Sequence, residues 1–290
     1  MIIPGLIRSS QRLAAAFLVC LLASALLLAG EFTATFLDSG QGDAIVLKTP
    51  AGKICLIDTG PNDEEYGGHF DAGRDVGVPF LASRNTEEIE AILISHPHLD
   101  HYGGAWAVIS SFTVREIVSS RRRSKSPPYL KLMEAISAKK IPLSTVAQGD
   151  TLDWDPELKV QVLWPPKNFK GSDNNSSVVL HITHGKNMFL FPGDAEREAE
   201  EEMVQTYGPG LRSDVLKAPH HGSKTSSTEE FLDAVSPSLA VISCGRKNKY
   251  GHPYPNVLER FEERNITFYR TDLDGTVEII SDGENLSIRK

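Results

Sequence analysis

The apolar run Ile89–Ile94 ends abruptly in Ser95-His96-Pro97-His98-Leu99-Asp100-His101. A short apolar run bounded in this way predicts a buried strand. A strand end is rigid, so an irregular loop leaving it can aim several side chains at one point. His96, His98, Asp100 and His101 crowd imidazole and carboxylate into that loop, and these are the ligand types that borderline divalent metals such as zinc prefer. The alternative is a solvated polar loop. Burying four such groups without partners would carry a serious desolvation cost.

Two further strand ends carry the same chemistry. Phe191-Pro192-Gly193-Asp194 places a carboxylate after an apolar run, and Val215 to Ser223 places His220 and His221 after another. Asp194 alone would read as an N-cap for a helix over Glu196–Tyr207. Beside His96 to His101 it reads as a ligand. Three strands ending in ligand types are what a metal centre at a sheet edge requires.

The pattern around these segments defines the fold class. Phe32, Ala34 and Phe36 alternate with Thr33 and Thr35, predicting a half-buried strand, and Ala44–Leu47 and Ile54–Ile57 follow as two more. Later strands are predicted at 116–119, 158–163, 178–183, 188–191, 215–218, 239–243, 267–269 and 276–280. Helices are predicted at 78–83, 129–139, 196–207, 228–235 and 256–264. Hairpins followed by βα alternation predict an α/β domain of two packed sheets with helices outside them. No linker interrupts residues 31–290, which read as one domain.

Residues 1–30 differ. The uncharged run Leu13–Gly30, about 18 residues, just reaches the length of a membrane-spanning helix. Arg8 and Arg12 precede it, which predicts an N-terminal apolar helix with its start in the cytoplasm and the rest of the chain exported. A cleaved signal peptide, cut near Ala23-Ser24-Ala25, is the competing reading; either way the domain lies outside the cytoplasm, membrane-anchored or secreted. Cys55 and Cys244 sit in apolar strands and read as buried free thiols, with a bridge between them open in an oxidising compartment. Lys plus Arg number 30 against 38 Asp plus Glu, so contact with a long polyanion must come from local patches. Arg121, Arg122 and Arg123 form one candidate and Arg246 to Lys249, including Lys247, another; a solvated loop is the plain reading of each.

His96-Pro97-His98-Leu99-Asp100-His101 resembles the HxHxDH fingerprint of the metallo-β-lactamase superfamily, and Leu56-Ile57-Asp58-Thr59-Gly60 resembles its first motif. The resemblance implies a four-layer αββα sandwich with two metal ions at one edge between the sheets. Within the superfamily the chain is most similar to the soluble C-terminal hydrolase domain of ComEC-type competence and DNA-uptake proteins. Phe36 to Ala44, Lys217 to Ser223, Gly251-His252-Pro253 and Tyr269 to Asp272 carry that likeness, though the many helices of a channel are absent from this sequence.

The matched motifs imply roles. His96 and His98 hold the first metal; Asp100, His101 and His220 hold the second; Asp194 bridges them. His220 is preferred to His221 by analogy with related motifs. Asp58 orients ligand imidazoles through their other N–H, and His252 binds the scissile phosphate or protonates the leaving oxygen, so that Asp58, Asp100 and His252 form the catalytic set. A hydroxide shared by two zinc ions, or by manganese, is the nucleophile. His69, His181 and His184 match no motif. One departure stands out: Asn174 and Asn175 lie where the superfamily's third motif supplies a histidine to the first metal. The expected activity is hydrolysis of a phosphodiester, DNA or smaller. Hydrolysis of a carbon-centred ester, lactone or lactam, or a non-catalytic metal-binding module of a DNA-uptake assembly, are the alternatives.

Overall fold

The structure, a computed structural model, describes residues 30–64 and 67–290. The apolar helix expected within 13–30 therefore lies outside the described residues, Gly30 excepted. Among the described residues, no helix is long and apolar enough to cross a membrane.

Two sheets carry the fold. The first has eight strands in the order Leu286–Arg289, Val277–Ser281, Phe32–Phe36, Ala44–Lys48, Ile54–Thr59, Ala91–Ile94, Ile117–Ser119 and Leu143–Thr145. The second has seven, in the order Thr267–Arg270, Leu239–Ile242, Val215–Lys217, Asn187–Phe191, Val179–His184, Leu158–Trp164 and Thr151–Leu152. Phe32–Phe36 pairs with Val277–Ser281, so the two ends of the described chain close one sheet.

Strand periodicity explains the layering. Cys55, Ile57, Ala91 and Leu93 face the second sheet, in a core shared with Val160, Leu180, Phe189, Val215 and Val241. Leu56, Ile92 and Ile94 point the other way, against the helices Ala105–Ser111 and Pro127–Ala138. Leu190, Leu216, Ala240 and Ile242 pack outward against Arg197–Tyr207, Glu229–Val235 and Pro255–Glu263. The layers thus run helices, sheet, sheet, helices, and the central strands such as Ala91–Ile94 and Leu239–Ile242 are apolar on both faces because both are covered. Aromatic pairs bridge the sheets: the Phe32 and Phe189 rings meet edge to face with centroids 5.0 Å apart.

Two expectations are refined. The run Ile89–Ile94 breaks at Glu90, whose carboxylate pairs with Lys53 at 2.9 Å; Glu88–Ile89 pairs instead with Thr113–Val114 in a separate small sheet. The loop after Ile94 is not wholly irregular, since Leu99–Tyr102 forms one helical turn. Cys55 and Cys244 are both buried free thiols.

Parallel strands set up the site. Ile54–Thr59, Ala91–Ile94 and Ile117–Ser119 run parallel in one sheet, as do Asn187–Phe191, Val215–Lys217, Leu239–Ile242 and Thr267–Arg270 in the other. Open α/β sheets place ligands outside the carboxyl ends of such strands. Asp58, Ser95 to His101, Asp194 and His220-His221 all occupy carboxyl ends.

Candidate metal centre

Asp58 anchors the loop after Ala91–Ile94. Its Oδ1 accepts the Ser95 N–H at 2.8 Å, and its Oδ2 accepts the Ser95 hydroxyl at 2.6 Å and His101 Nδ1–H at 2.7 Å. The Ser95 proton being spent on Asp58, Ser95 Oγ is left to accept from His96 Nδ1 at 3.1 Å. Gly42 lets the neighbouring loop lie against this segment: a Cβ there would sit 2.1 Å from the Asp100 carbonyl oxygen. The second sheet delivers its histidines through strained backbone, for His220 (φ 48°, ψ 44°) and His221 (φ 55°, ψ 25°) are both left-handed. Two consecutive non-glycine residues in that region are costly and concentrate at functional sites.

The result is a convergence on one atom. Asp194 Oδ2 lies 3.3 Å from His101 Nε2, 3.4 Å from His221 Nε2, 3.7 Å from His220 Nε2 and 3.9 Å from His96 Nε2. Asp100 Oδ2 adds a carboxylate 3.6 Å from His221 Nε2. Behind each ring, Nδ1 is committed: His101 to Asp58, His96 to Ser95, His221 to the Ser243 carbonyl at 3.0 Å, and His220 to the Thr225 hydroxyl at 3.3 Å with Glu196 3.4 Å away. With Nδ1 so engaged, a neutral ring presents its Nε2 lone pair, the state a metal ligand requires. In the metal-free site burial pushes His101 and His221 down, but Asp194 and the neighbouring carboxylates outweigh it and raise both well above the usual imidazole range, so a bound cation would displace a proton from each.

The donors fit a divalent ion. Nε2 of His96, His101 and His221 and Oδ1 of Asp194 are buried without a hydrogen-bond partner. Buried polar atoms are rarely left so in a folded protein. Asp100, His101, Asp194 and His221 hold their ligand atoms within 4.8 Å of one another. His221 rather than His220 joins that group, whereas the sequence reading favoured His220 for it. His98 is less buried, its ring 4.6 Å from that of His96 and its Nε2 3.8 Å from Asp173.

The electrostatics rest on a buried cation that sequence reasoning passed over. Lys217, wholly buried, forms an ion pair with Asp43, donates to the Gly193 carbonyl at 3.0 Å and lies 3.7 Å from Asp194 Oδ1. Burial pushes the Asp43 carboxyl up, but Lys217 and then His221 outweigh it and hold it at about 2. Burial alone would likewise push Asp194 up, yet His101 and His221 carry it well below the usual carboxylate range. Asp43 also backs the two central rings, 3.5 Å from His221 Nδ1 and 3.7 Å from His101 Nδ1. Its place in the Gly40-Gln41-Gly42-Asp43 loop was the only signal available, and nothing in sequence spacing tied it to Lys217.

The remaining candidates sort by position. His252 lies at the rim, its ring 5.7 Å from that of His220 and its backbone N–H held by Asn248 at 2.9 Å. Burial and the neighbouring His221 and His220 push it down to about 4. Together with His98, Asp100, Asn174, Asp194, His220 and His221 it lines a cavity of about 290 Å³. Asn175 faces away: its side chain holds Glu196 N–H and Glu198. Arg121, Arg122 and Arg123 line a neighbouring groove with Lys167 and Phe169, but Arg122 pairs with Asp173 and Arg123 folds back onto the Ser120 carbonyl. Lys247 lines neither the cavity nor the groove. His181 bonds the Arg212 carbonyl and His184 the Ser281 hydroxyl, both packing roles.

Fold and site define a metallo-hydrolase class. Residues 37–246 match the metallo-beta-lactamase superfamily, and this chain belongs to it. Members of that superfamily are metal-dependent hydrolases whose fold binds divalent metals, often two. The chain is 33% identical over 260 residues to ComE operon protein 3 of Bacillus subtilis, covering 87% of this chain and 33% of that protein. It is 32% identical over 248 residues to Competence protein ComA of Neisseria gonorrhoeae, covering 86% and 32% respectively. It spans about a third of the length of these relatives. Among solved structures, the diiron beta-hydroxylase CmlA from Streptomyces venezuelae aligns with a TM-score of 0.54 at 13% identity, over 87% of this chain and 54% of that one. Tm1679, a metal-dependent hydrolase of the beta-lactamase superfamily, aligns with a TM-score of 0.51 at 11% identity, over 84% and 98%. At such identities these two likenesses speak for the fold alone.

Proposed function

We propose that this protein is a metal-dependent phosphodiesterase acting on DNA or a smaller phosphodiester outside the cytoplasm. The observation that carries the reading is the convergence of four imidazole Nε2 atoms on Asp194 Oδ2, each with its Nδ1 committed elsewhere. Asp100, His101, Asp194 and His221 would hold one divalent ion, zinc or manganese; His96 and His98 would join Asp194 in holding another. Bound divalent ions supply Lewis acidity towards a phosphoryl oxygen and make water acidic enough to attack near neutral pH.

The protein's own groups do the rest. Asp58 and Ser95 fix the ring orientation and tautomer of His101 and His96. Lys217 offsets the charge of Asp43, so that several carboxylates can share one buried volume. His252 lines the cavity, where its ring would meet a phosphate oxygen of a bound substrate. A polyanionic substrate is supported by the groove that Arg121, Arg122, Arg123 and Lys167 line. It is supported too by a relative named as a competence protein. The uncharged run 13–30 behind Arg8 and Arg12 supports export.

The test strips the full chain of metal, reloads it with zinc or manganese, and compares bis(p-nitrophenyl) phosphate with a p-nitrophenyl carboxylate ester and a chromogenic lactam. Metal-dependent cleavage of the phosphodiester is expected. Cleavage of the ester or lactam alone, or a metal-loaded protein that turns over nothing, would overturn the reading.

A further inference from the structure

The structure assigns His220 to the first metal position, in place of the histidine that Asn174 and Asn175 displace from the superfamily's third motif. This rests on the metal-centre reading above and departs from the sequence-based expectation, which put His220 on the second metal. Asn174 reaches the site, and the atom its amide nitrogen meets is His220 Nε2, at 3.4 Å. The imidazole of His220 therefore fills the place beside residue 174 where a ligand is missing. The backbone makes this available: with both His220 and His221 left-handed, the two adjacent rings reach Asp194 together, their centroids 6.1 Å apart and their planes at 65°.

Three relationships separate His220 from an ordinary rim residue. Its Nε2 is 3.7 Å from Asp194 Oδ2, closer than that of His96 at 3.9 Å. Its Nδ1 faces Glu196 Oε1 at 3.4 Å, and Thr225 Oγ1, 3.3 Å from the same nitrogen, donates to that carboxylate at 2.9 Å. A carboxylate behind the ring is the arrangement that orients metal-binding histidines, and Asp58 stands to His101 in the same way. His220 also lies outside the group formed by Asp100, His101, Asp194 and His221.

The test is a stepwise cobalt(II) titration of the metal-free full chain, followed by visible absorption and with final stoichiometry by native mass spectrometry. The wild type should take up two ions. H220A should keep one tight step and lose the other by more than about 100-fold, beyond the ~10–100-fold that loss of an outer partner gives. E196Q should stay within that smaller range. The double variant H220A/N174H, which restores a ring at the motif position, should recover the second step and shows that the H220A chain can fold. An H220A chain binding two ions with wild-type or E196Q-like affinity would overturn the assignment while leaving the centre intact. A wild-type chain that takes up no metal would overturn the centre itself.

Discussion

Lys217 and Asp43 form an ion pair sealed from solvent beneath Asp194, with the lysine only 3.7 Å from the carboxylate on which the histidines converge. A buried pair of this kind is costly to break because the surviving charge has no partner. Lys217→Met should therefore destabilise the fold by about 3–5 kcal/mol. Lys217→Met combined with Asp43→Asn should restore a large part of that loss. Urea denaturation of the metal-free chains decides it; equal stability of the single and double variants would show that the pair is not coupled.

Glu200 offers a pH test away from the metal ligands. Burial pushes its carboxyl up to about 7, although it accepts N–H bonds from Ser227 at 2.6 Å and Thr228 at 2.8 Å. For an acid whose folded pKa is raised, the folded state binds more protons between the unfolded and folded values. Stability from this group is then full below about 4.5 and lost as pH rises through about 7. Histidines such as His252, held at about 4, titrate alike in wild type and Glu200→Gln and so cancel between them. Relative to Glu200→Gln, the wild type should lose on the order of 2–3 kcal/mol across that window. Parallel slopes for the two proteins would contradict the assignment.

The basic groove should matter for long substrates only. Arg122 and Arg123 are engaged with Asp173 and the Ser120 carbonyl. Changing Arg121, Arg122 and Arg123 together to Ser should weaken DNA binding and lower the slope of log affinity against log salt by about 1 per lost phosphate contact. Turnover of a small chromogenic phosphodiester should survive. Equal loss on both substrates would show that the loop is structural.

Most of the core was legible because its strands repeat with a period of two. Ile92 and Leu93 face opposite ways, and each finds an apolar layer. The edge strands Leu143–Thr145 and Leu286–Arg289 escaped notice because little of them is buried, so no alternation marks them. The ligand cluster was legible for a different reason: His96 to His101 follow one another along the chain. Asp43, Ser177 and Lys217 meet that cluster only through folding. Ser177, which accepts the Asp194 N–H at 3.0 Å, looks like any loop serine in the sequence. The choice between His220 and His221 likewise turned on two left-handed residues, a conformation that histidine side chains do not announce.

His252 should act on turnover and not on metal. Its ring stands 6.4 Å from that of His221, at the rim of the cavity. His252→Ala should lower kcat for a phosphodiester by about 100-fold or more, the usual loss when one stabilising donor is removed. Metal stoichiometry should be unchanged. A variant that loses metal in proportion to activity would make His252 a structural neighbour of His220 instead.

Asp194 carries the central claim, because a carboxylate shared by the converging imidazoles cannot be removed from one metal position alone. The most direct measurement is the metal content of wild type and Asp194→Ala by native mass spectrometry, with phosphodiester turnover measured on the same samples. The expected result is two ions per wild-type chain, fewer than one in the variant, and no turnover by the variant. Two ions bound by Asp194→Ala as tightly as by the wild type would contradict the bridging role and the centre built around it.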